Sequence, residues 1–250
     1  DSPSWHRLVE CADGTLEYRL GAGKWKDMTT RKFITFVRAA VQAAQSHQIE
    51  YFAIQAPVAM LPHILKEHDS QWILSTLAEN LTLGSYQFLK YKSTKSKRKE
   101  LKEILVCGEL SAAEKNAFTR GCIVGTATNL TRDIANTSAD DMTPTKLGNA
   151  AKKAVSGTTA SVKVLGEKEL QKLKMGLLLA VGAGTKHETQ LIVMEYWGAG
   201  KPKKDEKSKA KQPIVYVGKG VTYDTGGLNV KPSGHMHDMH MDMSGGSSVI

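Results

Sequence analysis

Four side chains near the end of this chain, Lys219, Asp224, Lys231 and Asp242, are of types and spacings suited to metal-assisted chemistry. Carboxylates are hard oxygen ligands for Mn²⁺, Mg²⁺ or Zn²⁺. A lysine amine binds a metal only when neutral, so its pKa must be drawn down by the ion and by loss of water. A lysine that keeps its charge instead stabilises an oxyanion on a tetrahedral intermediate. The stretch Val217-Gly218-Lys219-Gly220-Val221-Thr222-Tyr223-Asp224-Thr225-Gly226-Gly227 sets Lys219 and Asp224 among glycines, which let the backbone turn sharply and approach a bound ion. On spacing alone, charged loop residues among turn glycines are an equal alternative.

These groups need a scaffold. The apolar run 214–217 reads as a central strand, with Lys219 and Asp224 just past its C-terminal end, where open α/β sheets place their sites. Runs 177–181 and 191–196 read as further strands; 191–196 and 214–217 are continuous apolar runs suited to a sheet buried on both faces. Residues 161–165 add another strand, and 167–174 a short helix. Thr143 as cap and Pro144 at the first helical position start a helix running to about Val155.

Upstream, Phe33, Val37, Ala40, Val41 and Ala44 recur at helical spacing over 31–46, and 61–79 shows a similar pattern. Residues 51–54 and 103–107 read as strands. Over 111–135, Ser111 and Glu114 form a capping box before a long helix whose middle, 121–127, is small and apolar enough for close approach to another element. The expected fold class is therefore α/β: a small N-terminal α/β domain over 1–110, a linking helix over 111–135, and a second α/β domain over 136–250 with a mixed central sheet.

Composition bounds the function. Hydrophobic residues at 41% and charged residues at 24% fit a soluble globular protein, and no apolar run is long enough to span a bilayer. Cys11, Cys107 and Cys122 are odd in number and far apart, which gives neither a disulfide framework nor a zinc ribbon and favours a reducing compartment. The net charge of +9 gathers in Lys90–Lys102 and Lys201–Lys211. Neither cluster is interleaved with aromatics as a base-stacking surface is, so both read as solvated loops, with contact to nucleic acid phosphates as the alternative. His235, His237 and His240 offer zinc donors, but no regular element fixes their geometry; a substrate-side wall is the competing reading.

The segment 217–232, followed by Met241-Asp242-Met243-Ser244-Gly245-Gly246, closely resembles the leucyl aminopeptidase (cytosol aminopeptidase) family. Segments 129–137, 142–147, 175–184 and 191–196 agree in order, so the resemblance covers about residues 118–250. Residues 1–110 share only general α/β character with the family's variable N-terminal domain.

The resemblance implies a two-metal aminopeptidase that releases N-terminal apolar residues such as leucine from short peptides. Lys219 and Asp242 would hold the tighter of two divalent ions (Mn²⁺ or Zn²⁺, with Mg²⁺ also fitting), Asp224 would bridge both, and Lys231 would be the electrophile beside the substrate carbonyl. The family completes its site with an Asp, a Glu and an Arg in a later segment. The chain thus reads as the front half of a longer protein, inactive alone. A cytoplasmic homohexamer is implied, without membrane attachment. A catalytically impaired relative with a structural role is the rival reading. Met241 replaces the usual Lys or Arg, and Ser247-Ser248 replace the usual alanines.

Overall fold

The computed structural model describes residues 6–14, 16–57, 61, 64–94, 100–198, 200 and 213–250. The chain divides into two compact units, Asp1–Asn129 and Leu130–Ile250.

In the first unit, β1 (His6–Glu10) and β2 (Leu16–Leu20) form an antiparallel hairpin, with His6 opposite Leu20. Helix α1 (Thr30–Ser46) begins where the Thr29 side chain accepts from the Lys32 amide at 3.3 Å, which satisfies one of the unpaired amides of its first turn. Its expected apolar stripe is the buried face: Phe33, Val37, Val41 and Ala44. The 61–79 pattern is broken into a 3₁₀ turn at Ile64–Lys66 and helix α2 (Ser70–Gly84). The break falls where Asp69 leaves helical geometry and caps Trp72 N at 2.7 Å.

Strands β3 (Tyr51–Gln55) and β4 (Glu103–Cys107) pair in parallel, Tyr51 opposite Glu103. Phe52, Ile54, Ile104 and Val106 face a core of Met28, Phe33, Val37, Val41, Ile73, Leu74, Leu77 and Leu81. A fully buried side chain of this kind contributes about 1.5–3 kcal/mol. Gln45, buried at the rim, donates to Ser85 O at 3.0 Å, and Arg38 Nε donates to Asn80 Oδ1 at 2.7 Å, which ties α1 to α2.

Helix α3 (Ala112–Asn136) starts with the expected capping box: Glu114 N donates to Ser111 Oγ at 3.3 Å and Ser111 N donates to Glu114 Oε2 at 2.8 Å. Its small residues do allow close approach. A methyl group on Gly121 would collide with the Ser75 carbonyl of α2, and one on Gly125 would stand 2.7 Å from Thr82 Cβ. Of the described basic-cluster residues, Lys90 lies over the Tyr91 ring and Lys102 pairs with Glu50 at 3.4 Å, as residues of an ordinary charged surface do. Residues 95–99 and 201–212 of the clusters fall outside the described residues.

The second unit takes the end of α3, then α4 (Pro144–Ala154), β5 (Ser161–Leu165), α5 (Glu167–Lys172), α6 (Gly176–Gly182), β6 (Leu191–Glu195) and α7 (Ser244–Val249). Thr143 caps α4, with Pro144 at its first position, as expected. Strands β5 and β6 pair antiparallel, Ser161 opposite Glu195. Ile134, Met142, Leu147 and Met243 form the core, with Leu130, Ala150, Ile192 and Ile250 against it.

Two expected strands are absent among the described residues. Run 177–181 is helix α6, with Leu177 88% and Val181 69% exposed. A short apolar run does not discriminate helix from buried strand, and Leu-Leu-Leu-Ala favours helix. Run 214–217 is extended but pairs with no strand among the described residues, and Ile214 and Val217 are 81% and 92% exposed. Side-chain propensity favours an extended backbone there, but a strand also needs a neighbour's N–H and C=O groups. Among the described residues, the strands of the second unit's expected mixed sheet are represented by the single β5–β6 ladder, within an α/β fold that stands.

Candidate functional site

All four candidate residues lie in the second unit, on segments held by backbone contacts. The extended strip carrying Lys219 runs against the start of α7. Gly246 N donates to Lys219 O at 2.7 Å. A methyl group on Gly218 would strike the Gly245 backbone, and one on Gly246 would stand 3.0 Å from Lys219 O. Only glycine allows these two backbones to touch, and their contact delivers the Lys219 side chain to Asp242, two residues before α7. Lys219 Nζ lies 2.7 Å from Asp242 Oδ2.

The Asp224–Lys231 loop folds back on itself. Asp224 Oδ1 accepts from Gly226 N at 2.8 Å, and Lys231 N donates to Thr225 O at 2.9 Å. Gly226 has φ of 88°, a left-handed conformation, and a side chain there would strike Asn229 O. This fold-back sets Lys231 Nζ 3.3 Å from Asp224 Oδ2.

The electrostatics follow from these two pairs. Contact with the Asp242 carboxylate raises the Lys219 pKa above its ordinary value, and the more distant charge of Asp224 adds to it, while partial desolvation opposes both. The Gly226 amide, first, and then Lys231 hold the Asp224 carboxyl below its usual range. Asp242 Oδ2 is buried, with the Lys219 ammonium against it at 2.7 Å. A buried carboxylate oxygen calls for a cation beside it, since burying an unpaired charge is costly; the ammonium fills that place here. Two carboxylates and a lysine amine are also an acceptable hard-donor set for a divalent metal.

Among the described residues, no three His, Cys, Asp or Glu side chains gather as a metal cage. His235, His237 and His240 are therefore not drawn together as zinc ligands. His237–Met241 is a 3₁₀ turn leading into Asp242, whose amide closes on Met239 O at 3.3 Å. Ser247 and Ser248 settle within α7, both hydroxyls donating to Ser244 O, at 3.0 and 2.8 Å. The contribution that sequence reading left unassigned is the clamp of Gly245 and Gly246 on Lys219; its signal was the glycine pair close behind Asp242.

The catalytic domain of the cytosol aminopeptidase family matches residues 129–250, and that family's N-terminal domain matches residues 18–95, so the likeness extends into the front unit as well. The chain belongs to the cytosol aminopeptidase family. A probable cytosol aminopeptidase of Ralstonia pickettii (strain 12J) is 33% identical over 239 residues, which cover 92% of this chain and 45% of that protein. One of Alkalilimnicola ehrlichii (strain ATCC BAA-1101 / DSM 17681 / MLHE-1) is 37% identical over 259 residues, covering 99% of this chain and 49% of the relative. The chain thus spans about half the length of the curated relatives it matches.

Among solved structures, the bottromycin maturation enzyme BotP in complex with Mn superposes with a TM-score of 0.74 at 25% identity, covering 98% of this chain and 48% of that one. A tomato leucine aminopeptidase mutant shares the fold, with a TM-score of 0.73 at 24% identity over 99% of this chain and 45% of that one. No helix of the described residues is long and apolar enough to cross a membrane.

Proposed function

We propose that this chain carries the front part of the active site of a two-metal aminopeptidase acting on the N-terminus of short peptides. The observation that carries the reading is the pairing of Lys219 with Asp242 and of Lys231 with Asp224 on glycine-clamped backbone. Asp242 and the Lys219 amine would hold one divalent ion, Mn²⁺ or Zn²⁺ with Mg²⁺ also fitting, and Asp224 would be shared with a second. Bound divalent metals supply a water of lowered pKa and a polarised carbonyl.

The chain's own groups have distinct tasks. Asp224 and Asp242 bring negative charge to one place, which the two lysines balance in the arrangement seen here. Lys219 must release its proton before its nitrogen can ligate. Lys231, kept charged, would leave Asp224 and stabilise the oxyanion that develops on the scissile carbonyl. The Gly245–Gly246 clamp holds Lys219 in position without a side chain to obstruct a peptide.

Family membership supports hydrolysis, and the relatives' names support a cytosolic setting. A homohexamer, with 111–135 linking a front domain over 1–110 to a catalytic domain from 136 onward, belongs to the same proposal. Closed symmetry satisfies every equivalent interface and would shield the sites from folded proteins. The test is leucine release from leucyl peptides by the full-length protein, stripped of metal and reloaded with Mn²⁺ or Zn²⁺. Absence of turnover in the correctly assembled, reloaded protein would exclude the reading and leave the structural relative.

A further inference from the structure

We propose that Thr131, near the end of α3, is a positioning residue for the Lys219–Asp242 pair and acts through α7. It has this role on the reading of Lys219 and Asp242 as ligands of one divalent ion. The hydroxyl of Thr131 donates to Ser247 O at 3.1 Å, a bond between elements far apart in the chain.

Helix α7 cannot fix its own place. Its sequence, Ser-Gly-Gly-Ser-Ser-Val, is made mostly of weak helix formers. A helix this short does not persist in water by itself. Its glycines are needed for the contact with Lys219, so neighbouring elements must supply the order that the sequence lacks.

Two neighbours do so. On one side, Lys219 O accepts from Gly246 N at 2.7 Å, which satisfies an amide of the helix's first turn. On the other, Met243, Ser247 and Ile250 recur at helical spacing. Met243 and Ser247 are both buried, and Met243 and Ile250 pack with Leu130 and Ile134 of α3. Apolar contact is non-directional, so these side chains hold α7 to α3 without setting its register. A hydrogen bond is directional and does set it. The Ser247 hydroxyl turns back to Ser244 O at 3.0 Å, so it is the Ser247 carbonyl that meets Thr131.

The register of α7 governs both members of the pair. Asp242 joins the helix through Met243, and Lys219 is bonded to Gly246, the neighbour of Ser247. The separation of 2.7 Å between Lys219 Nζ and Asp242 Oδ2 therefore depends on where α7 lies. Metal–donor distances tolerate deviations of only about 0.2 Å, so a small slide of α7 is enough to weaken an ion's hold.

The test compares T131S, T131V and T131A with wild type in the full-length protein. Serine keeps the donor, valine keeps the shape, and alanine keeps neither. Valine against threonine, or alanine against serine, isolates the hydroxyl, so either pair suffices if one variant fails to fold. The readouts are amide hydrogen exchange at Gly246 in metal-free protein and Mn²⁺ affinity by calorimetric titration. In T131V and T131A, exchange at Gly246 should quicken about threefold to tenfold, the effect of one lost hydrogen bond, while amides of the β5–β6 ladder keep their wild-type rates. Mn²⁺ affinity should fall about tenfold or more in both, as when a group behind a metal ligand is removed. T131S should match wild type in both measurements. A packing role gives the other order, with valine nearest wild type, and would overturn the proposal. So would equal acceleration across the β5–β6 ladder, or unchanged Mn²⁺ affinity in T131V. Failure of wild type to take up Mn²⁺ strikes the metal reading itself, whereas normal uptake shared equally by wild type and T131V strikes only the role of Thr131.

Discussion

The two units of this chain use apolar surface differently. In the first, Val41, Leu61, Ile73, Leu74 and Leu77 are completely buried, and α1, α2, β3 and β4 close around one core. In the second, the buried cluster is small, while Leu177, Tyr196, Ile214, Val217 and Leu228 stand in solvent. The proposed site lies in the second. There, the position of a reactive side chain depends on backbone contact through Gly218, Gly226 and Gly246 more than on side-chain packing. Core packing tolerates conservative exchange, whereas backbone-to-backbone contact tolerates no side chain at all.

This contrast is broken most sharply by removing a proposed ligand. Asp242→Asn in the full-length protein should lower kcat/KM by at least about a hundredfold and reduce bound Mn²⁺, since even groups behind metal ligands cost about 10–100-fold when lost. Bound metal is read by elemental analysis, and the melting temperature should change little. Full activity in that variant would remove Asp242 from the site.

The reverse pattern is expected of the first unit. Leu77→Ala, at a position with 0% exposure, should destabilise by about 2–5 kcal/mol in urea unfolding, with activity per folded molecule unchanged. Gly246→Val tests the clamp. The added side chain must push Lys219 O and Gly220 away, and a displacement near 1 Å costs about a hundredfold in rate, so kcat should fall further than stability does. If Gly246→Val kept its kcat, the backbone contact would have no positioning role.

The smallest effect is pH-dependent and belongs to α3. The Ser111 hydroxyl, foremost, holds the Glu114 carboxyl below its usual value. A depressed carboxyl contributes stability above its unfolded pKa, and the contribution fades as pH falls through the folded value. Glu114→Gln should therefore cost about 0.3–1 kcal/mol near neutral pH, a modest figure because the site is solvated. The difference from wild type should shrink on acidification below about pH 4. A constant gap between the two melting curves across that range would show that charge is not what Glu114 contributes.

Much of this could be read from the chain alone. The helical stripe Phe33, Val37, Val41 and Ala44 and the caps at Ser111 and Thr143 are local patterns, and the runs 51–54, 103–107 and 161–165 carry extended propensity in segments that do find strand partners. The four candidate residues also stood out in the chain, because lysines and aspartates beside paired glycines are poorly explained by packing, and the motif carried the family resemblance. Tertiary structure decided the rest. Run 177–181 became helix α6 because its apolar sequence suits either state, and only its surroundings choose between them. Run 214–217 is extended, yet propensity could not supply the neighbouring backbone that a ladder requires. Which lysine meets which carboxylate was likewise beyond sequence. Lys219 reaches Asp242 and Lys231 reaches Asp224 because glycine contacts fold the intervening backbone, and such long-range closure depends on space that a linear pattern does not encode.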